Sequence, residues 1–110
     1  MTTPNLQLLR NALQAYAWRM EALASNVANL DTPGYDRLDV RFEDSLQRAR
    51  RGGPGEAEHV GAEMRQEDRA PVLEDELMAL ADTQMRVQLA TRALHEHFNR
   101  VRTGITGRTG

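Results

Sequence analysis

The chain has 110 residues, 40% hydrophobic and only 5% aromatic, enough for one small domain with a thin core of Leu, Met, Val and Ala. A formal net charge of −2 from 14 basic and 16 acidic residues gives no long-range pull on nucleic acid or anionic lipid. With no cysteine there is no disulfide framework, thiolate metal site or cysteine nucleophile, and no apolar run is long enough to span a bilayer.

The start, MTTPNLQLLRNALQ, lacks the basic, apolar and small-residue regions of a cleaved secretory signal, so a route out of the cytoplasm would have to use none. From Leu6 the apolar residues follow a heptad: Leu6, Leu9, Leu13, Tyr16, Met20, Leu23, Val27 and Leu30, spaced alternately three and four. A 3.5-residue period held this long predicts a coiled-coil seam on a helix over residues 5–31, with Pro4 suited to its first turn.

The helix pattern stops in ASNVANLDTPGY, residues 24–35. Asn26 and Asn29 lie beside the seam and can cap freed backbone groups or bond across to a neighbour. Asp31 and Thr32 can start a turn, and Pro33–Gly34 suits the central positions of a type II turn, after which Tyr35 offers an anchor with a polar tip. Residues 32–47 form the turn and a short arm. Leu38, Val40 and Phe42 alternate as in an extended piece, while Ser45 and Leu46 fit either that arm or a short helix.

Residues 48–71, with four glycines, two prolines, many charges and few large apolar side chains, are expected to form a mobile linker. A second helix is expected over 72–104. Its heptad runs Leu73, Leu77, Leu80, Gln84, Val87, Thr91, Leu94, Phe98, Val101 and Ile105, with acids at its start and Arg100 and Arg102 near its end, as the macrodipole favours. Gln84 and Thr91 are polar seam positions with two readings: they fix register, or they rotate outward. The expected fold is all-α: two long terminal helices in a coiled-coil-like pair, joined by a turn, an extended arm and a flexible loop, in one domain over 1–110. One seam on two helices buries little, so the pair is expected to consolidate on assembly.

The stretch Ala24, Ser25, Asn26, Val27, Ala28, Asn29, then Thr32, Pro33, Gly34 and Tyr35 resembles the N-terminal signature of bacterial flagellar axial proteins, the rod, hook and hook-associated family. The preceding WRMEAL, the following DRLDVRFEDSL and the C-terminal half resemble the basal-body rod members nearest the membrane. Glu76, Gln88, Leu94, Phe98, Arg102 and Ile105 fall at positions expected for that branch. The resemblance implies a structural subunit of the proximal rod. Its terminal helices would polymerise into the axial tube that transmits torque and forms part of the export channel. It also implies a basal-body location across the periplasm, passage through the flagellar type III export apparatus, and partners among other rod subunits and the spacer and membrane-ring proteins. Asn26, Asn29, Thr32, Pro33, Gly34 and Tyr35 would set the turn and make contacts between subunits.

No cofactor, metal, small-molecule substrate or nucleic acid is expected. His95 and His97, two apart on a helix, point in different directions. Arg48, Arg50 and Arg51 beside many acids read as solvated linker, and the acids as solvated helix faces without a paired carboxylate in an apolar setting. The chain is therefore read as no enzyme. The rival readings are a soluble coiled-coil adaptor or export chaperone, whose heptads would look the same, and a rod subunit at another axial position.

Overall fold

The computed structural model describes residues 4–52 and 61–106. In chain order they form α1 (Pro4–Ala28), β1 (Leu38–Arg41), α2 (Glu43–Gly52), β2 (Glu63–Gln66) and α3 (Leu73–Thr106), with principal extents of 60 × 28 × 17 Å. The architecture is mostly helical, with two long helices packed on each other, as the heptads predict.

α1 is built from strong helix formers, with neither Gly nor Pro between Asn5 and Asp31. It ends where Asn29 folds back: its backbone N–H and its side-chain amide both donate to Ser25 O, at 3.0 and 2.9 Å, satisfying the helix end. α3 opens with Glu74, Asp75 and Glu76 in its first turn, where carboxylates meet the positive end of the helix dipole.

α1 and α3 run antiparallel, but their contact is rotated from the expected seam. In α1 the line through Tyr16 and Leu23 is buried as expected; the second line shifts one residue, from Leu13–Met20–Val27 to Ala12–Arg19–Asn26, with Ala15 and Ala22 also buried. In α3 the line Leu80–Val87–Leu94 is retained in part burial, while the other moves from Leu77–Gln84–Thr91 to Glu76–Thr83–Ala90. The helices thus meet along small side chains, which permit close approach, and the larger ones line the flanks. Leu6, Leu9, Leu13, Met20, Val27 and Leu30 are half-buried. Leu73, Leu77, Gln84, Thr91, Phe98, Val101 and Ile105 are exposed in the single chain. Gln84 and Thr91 therefore take the outward reading within this helix pair.

The stretch 48–71 also differs from one continuous linker. α2 continues to Gly52, and β2 pairs antiparallel with β1, Leu38 opposite Gln66 and Arg41 opposite Glu63; residues 53–60 lie outside the described residues. All four β2 residues are exposed, so its order comes from the backbone ladder and from opposed charges, Asp39 against Arg65 and Arg41 against Glu63, rather than from apolar burial. β1 is the extended piece that Leu38, Val40 and Phe42 predict, and Ser45 belongs to α2.

Candidate functional site

The signature stretch ends in a turn with type II geometry. Tyr35 N–H donates to Thr32 O at 3.2 Å, and Gly34 has φ +76°, the left-handed value the third turn position requires. Thr32 Oγ1 donates to Asn29 Oδ1 at 3.0 Å and braces the turn against the helix end. The reversed chain brings the arm back along α1, and three elements then converge on Asn26.

Asn26 is fully buried. Its Oδ1 accepts from Leu38 N–H at 2.8 Å, and its Nδ2 donates both to Leu38 O at 2.8 Å and to Glu76 Oε1 at 2.9 Å. The amide thus imitates a strand residue toward β1 while its second proton holds α3. Only this orientation works, because the Glu76 carboxylate can only accept. Tyr35 OH donates to Asn26 Oδ1 at 3.3 Å and lies 2.8 Å from Ser25 Oγ, tying the turn's aromatic to the same point.

Arg37 completes the joint. Its Nε and Nη2 form a two-pronged pair with Glu76 Oε2 and Oε1, both at 2.9 Å, and its Nη1 reaches Glu67 Oε2 at 3.0 Å. Arg69 Nε donates to Glu67 Oε2 at 2.8 Å, and the Arg37 and Glu67–Arg69 backbones exchange bonds of 2.9 and 2.8 Å. Glu76 has no exposed surface and Arg37 is 6% exposed, so the pair lies out of water. Burial alone would push the Glu76 carboxyl up. The hydrogen bonds and charge of Arg37, with the bond from Asn26, outweigh it and hold the group below its ordinary range. The same opposition lowers Glu67, against burial, through Arg69 and Arg37. Arg37 is raised, chiefly by its bond to Glu76.

A second cluster fixes the arm lower on α1. The Tyr16 and Phe42 rings meet edge to face at 4.9 Å, and the Arg19 guanidinium sits 5.1 Å from the Phe42 centroid. Arg19 also donates to Val40 O at 2.6 Å and pairs with Glu43, whose carboxyl burial raises and Arg19 lowers, the net direction being down.

Of the signature residues, Asn26 and Tyr35 enter the buried joint, Asn29 and Thr32 close the helix end, and Pro33 and Gly34 form the exposed turn. Arg37, Glu67, Arg19 and Phe42 have no place among the residues expected from sequence to form the site. Glu76 appears there only as a family position, although a lone acid amid the small-residue line of α3 is a signal for a buried pair. Among the described residues no cluster of three or more His, Asp or Glu is placed to hold a metal, and no helix is long and apolar enough to cross a membrane.

The fold defines a class first: an elongated, mostly helical segment in which two long helices are joined at the signature stretch. The particular likeness is to flagellar basal body rod proteins. A family model described as "Flagella basal body rod protein" matches residues 6–35, the part of α1 and the turn that carries Asn26 and Tyr35. The flagellar basal body rod protein FlgB of Escherichia coli K12 is 42% identical over 48 residues, 44% of this chain and 35% of that protein. FlgB of Salmonella typhimurium is 44% identical over 43 residues, 39% of this chain and 31% of its own. FlgB of Aeromonas hydrophila is 45% identical over 38 residues, covering 34% and 29%. The matched stretch thus spans about a third of the length of these relatives. Over this stretch the chain resembles flagellar basal body rod proteins, FlgB among them.

Proposed function

We propose that this chain is a structural subunit of the flagellar basal-body rod, at the proximal position. The carrying observation is that the matched segment supplies the joint of the fold: Asn26 binds the arm and α3 at once, so the signature is the device that pairs the two terminal helices. One rod-type domain over 1–110 then presents α1 and α3 as a stiff unit for helical stacking into the axial tube that transmits torque and lines part of the export path.

The outward side of α3 supports assembly. Met78 is 72% exposed, and Met85 and Leu89 continue the same apolar stripe seven and eleven residues on, an outward apolar line of the kind that marks contact surfaces. In this reading the subunit passes through the flagellar type III export apparatus without a cleaved signal. It reaches the basal body across the periplasm and contacts other rod subunits and the spacer and membrane-ring proteins. In this reading Asn29, Thr32 and Pro33, exposed or half-buried at the turn, make contacts between subunits.

The test is mass spectrometry of hook–basal bodies purified from the source organism. Finding this chain at a few copies per particle, below the hook, supports the rod subunit. Finding it only in the cytosol, with another homologue in the basal body, overturns that reading in favour of a soluble adaptor.

A further inference from the structure

We propose that β2 pairs antiparallel with β2 of a second copy, edge to edge, making one four-stranded sheet about a two-fold axis. The alternation of the β1–β2 ladder shows which backbone groups are open. Leu38 directs both its N–H and its C=O to Asn26, and the Val40 C=O accepts from Arg19, so both residues turn away from β2. Asp39 and Arg41 therefore face β2, where Arg65 and Glu63 stand opposite them. By the same alternation Met64 and Gln66 point their N–H and C=O groups outward, as does the preceding Ala62. Among the described residues the sheet has two strands and nothing bonds these outward groups.

An open edge accepts another strand, and the side chains along it decide which. All four residues of β2 are exposed, and no proline interrupts them. Two copies that face each other through Met64 can centre on Glu63, Met64 or Arg65. Centring on Glu63 sets that acid against itself, and centring on Arg65 sets two arginines together. Only the register centred on Met64 sets Glu63 against Arg65, and it does so twice.

That register completes both faces of the sheet. On the outer face Asp39 and Arg65 are followed by Glu63 and Arg41 of the second copy, so charge alternates in sign across all four strands. On the inner face buried Val40 and half-exposed Met64 meet Met64 and Val40 of the second copy, which extends the apolar layer. Gln66 of the second copy comes opposite Ala62, on the side where Asn11, Gln14, Trp18 and Ala62 line a cavity of about 210 Å³ with polar groups for its amide. The contact uses the same surface on both copies, so it closes as a dimer. Its two chains point in opposite directions, whereas helical stacking keeps them in one. The pair therefore lies outside the stack of the rod-subunit reading and does not depend on it. It covers an edge that would otherwise accept any extended chain.

The chain has no cysteine, so one introduced thiol reads the register. Across the axis the two copies of Met64 form a hydrogen-bonded pair, about 5.5 Å between Cα atoms, which a disulfide spans. The two copies of Gln66 lie about 13 Å apart, which it does not. The experiment is oxidation of the purified full chain carrying Met64→Cys with oxidised glutathione, read by intact mass with and without reductant, beside Gln66→Cys, also at an exposed position. Met64→Cys is expected to form the disulfide dimer at least tenfold faster. In sedimentation velocity the parent chain is expected to dimerise with rising concentration. Met64→Pro removes an outward N–H and no bond to β1, so it should raise the concentration needed at least tenfold while far-UV circular dichroism stays unchanged. Glu63→Arg and Arg65→Glu should each weaken pairing, and mixing them should restore it, because the two edges then carry opposite charges; misfolding cannot produce such rescue. Equal oxidation rates for the two thiols, a parent chain that stays monomeric, association unaltered by Met64→Pro, or a mixture without rescue would each overturn the pairing. Presence of the chain in purified basal bodies is read separately, so the pairing can fail while the rod subunit stands, and the reverse.

Discussion

Replacing Asn26 with Ala removes four bonds from a site with no access to water. Two join the Leu38 backbone and are worth about 1 kcal/mol each, the one to the ionised Glu76 about 1.5–3 kcal/mol, and the 3.3 Å bond from Tyr35 OH, which keeps Ser25 Oγ as a partner, adds little. The expected loss is about 4 kcal/mol, a large part of the roughly 5–15 kcal/mol available to a domain. In urea, with a slope of about 2 kcal/mol per molar, the midpoint should fall by about 2 M. The assay is far-UV circular dichroism at a fixed protein concentration where the parent chain is fully helical. Asn29→Ala is the control, because Asn29 makes only local bonds at the helix end and should cost about 1 kcal/mol. A double-mutant cycle with Glu76→Gln should show coupling of about 0.5–3 kcal/mol across the joint. If Asn26→Ala lowers the midpoint no more than Asn29→Ala, the joint does not bear on stability and the reasoning fails.

Gly34→Ala should cost about 1–2 kcal/mol although no atom lies within 4 Å of the added methyl, because the penalty is that of a left-handed backbone; a drop in melting temperature, smaller for Gly34→Asn, checks it. Glu76, Glu67 and Glu43 titrate below their ordinary value of 4.5 in the folded chain, so their stabilisation is complete above that pH and lost as pH falls through the lowered folded values. Melting temperatures from these groups should be level between pH 7 and 5 and fall progressively below about 4.5, with a shallower fall in Glu76→Gln, whose neutral side chain no longer titrates. Phe42→Ala should cost about 3–5 kcal/mol, since the ring is 2% exposed and holds both Tyr16 and Arg19; urea unfolding that moves by less than 1 kcal/mol would show that the arm is not anchored there.

The parts legible in the sequence are those with a local cause. The two helices follow from heptads, and the turn from Pro33–Gly34 before Tyr35, whose hydrogen bond and positive φ are those of its type. Asn26 and Asn29 stand out by spacing, but their division of labour does not: one caps locally, while the other reaches 50 residues along the chain. Arg37 and Glu76 hid for a related reason. Glu76 follows the exposed acids Glu74 and Asp75, and Arg37 stands among half-buried neighbours between Asp36 and Asp39, so only the meeting of arm and helix takes the pair out of water. The rotated seam has a different cause, since large apolar side chains draw the eye to a heptad line while Ala12, Ala15, Thr83 and Ala90 allow the nearer approach. β2 gives no alternation because it buries no side chain, and its partner is the only reason for it to be extended.

The β1–β2 ladder also decides where this chain can accept new material. Arg41 stands directly opposite Glu63, so the segment between the strands leaves and returns at neighbouring points on one rigid base. Its ends stay about 5 Å apart however long the segment becomes. Doubling its length would add only about 0.6 kcal/mol of closure entropy, and neither the Asn26 joint nor the helix contact would feel the change. A peptide tag or a compact fluorescent domain grafted after Gly52 would therefore sit as a side branch on an intact axis, leaving both ends of the helix pair free.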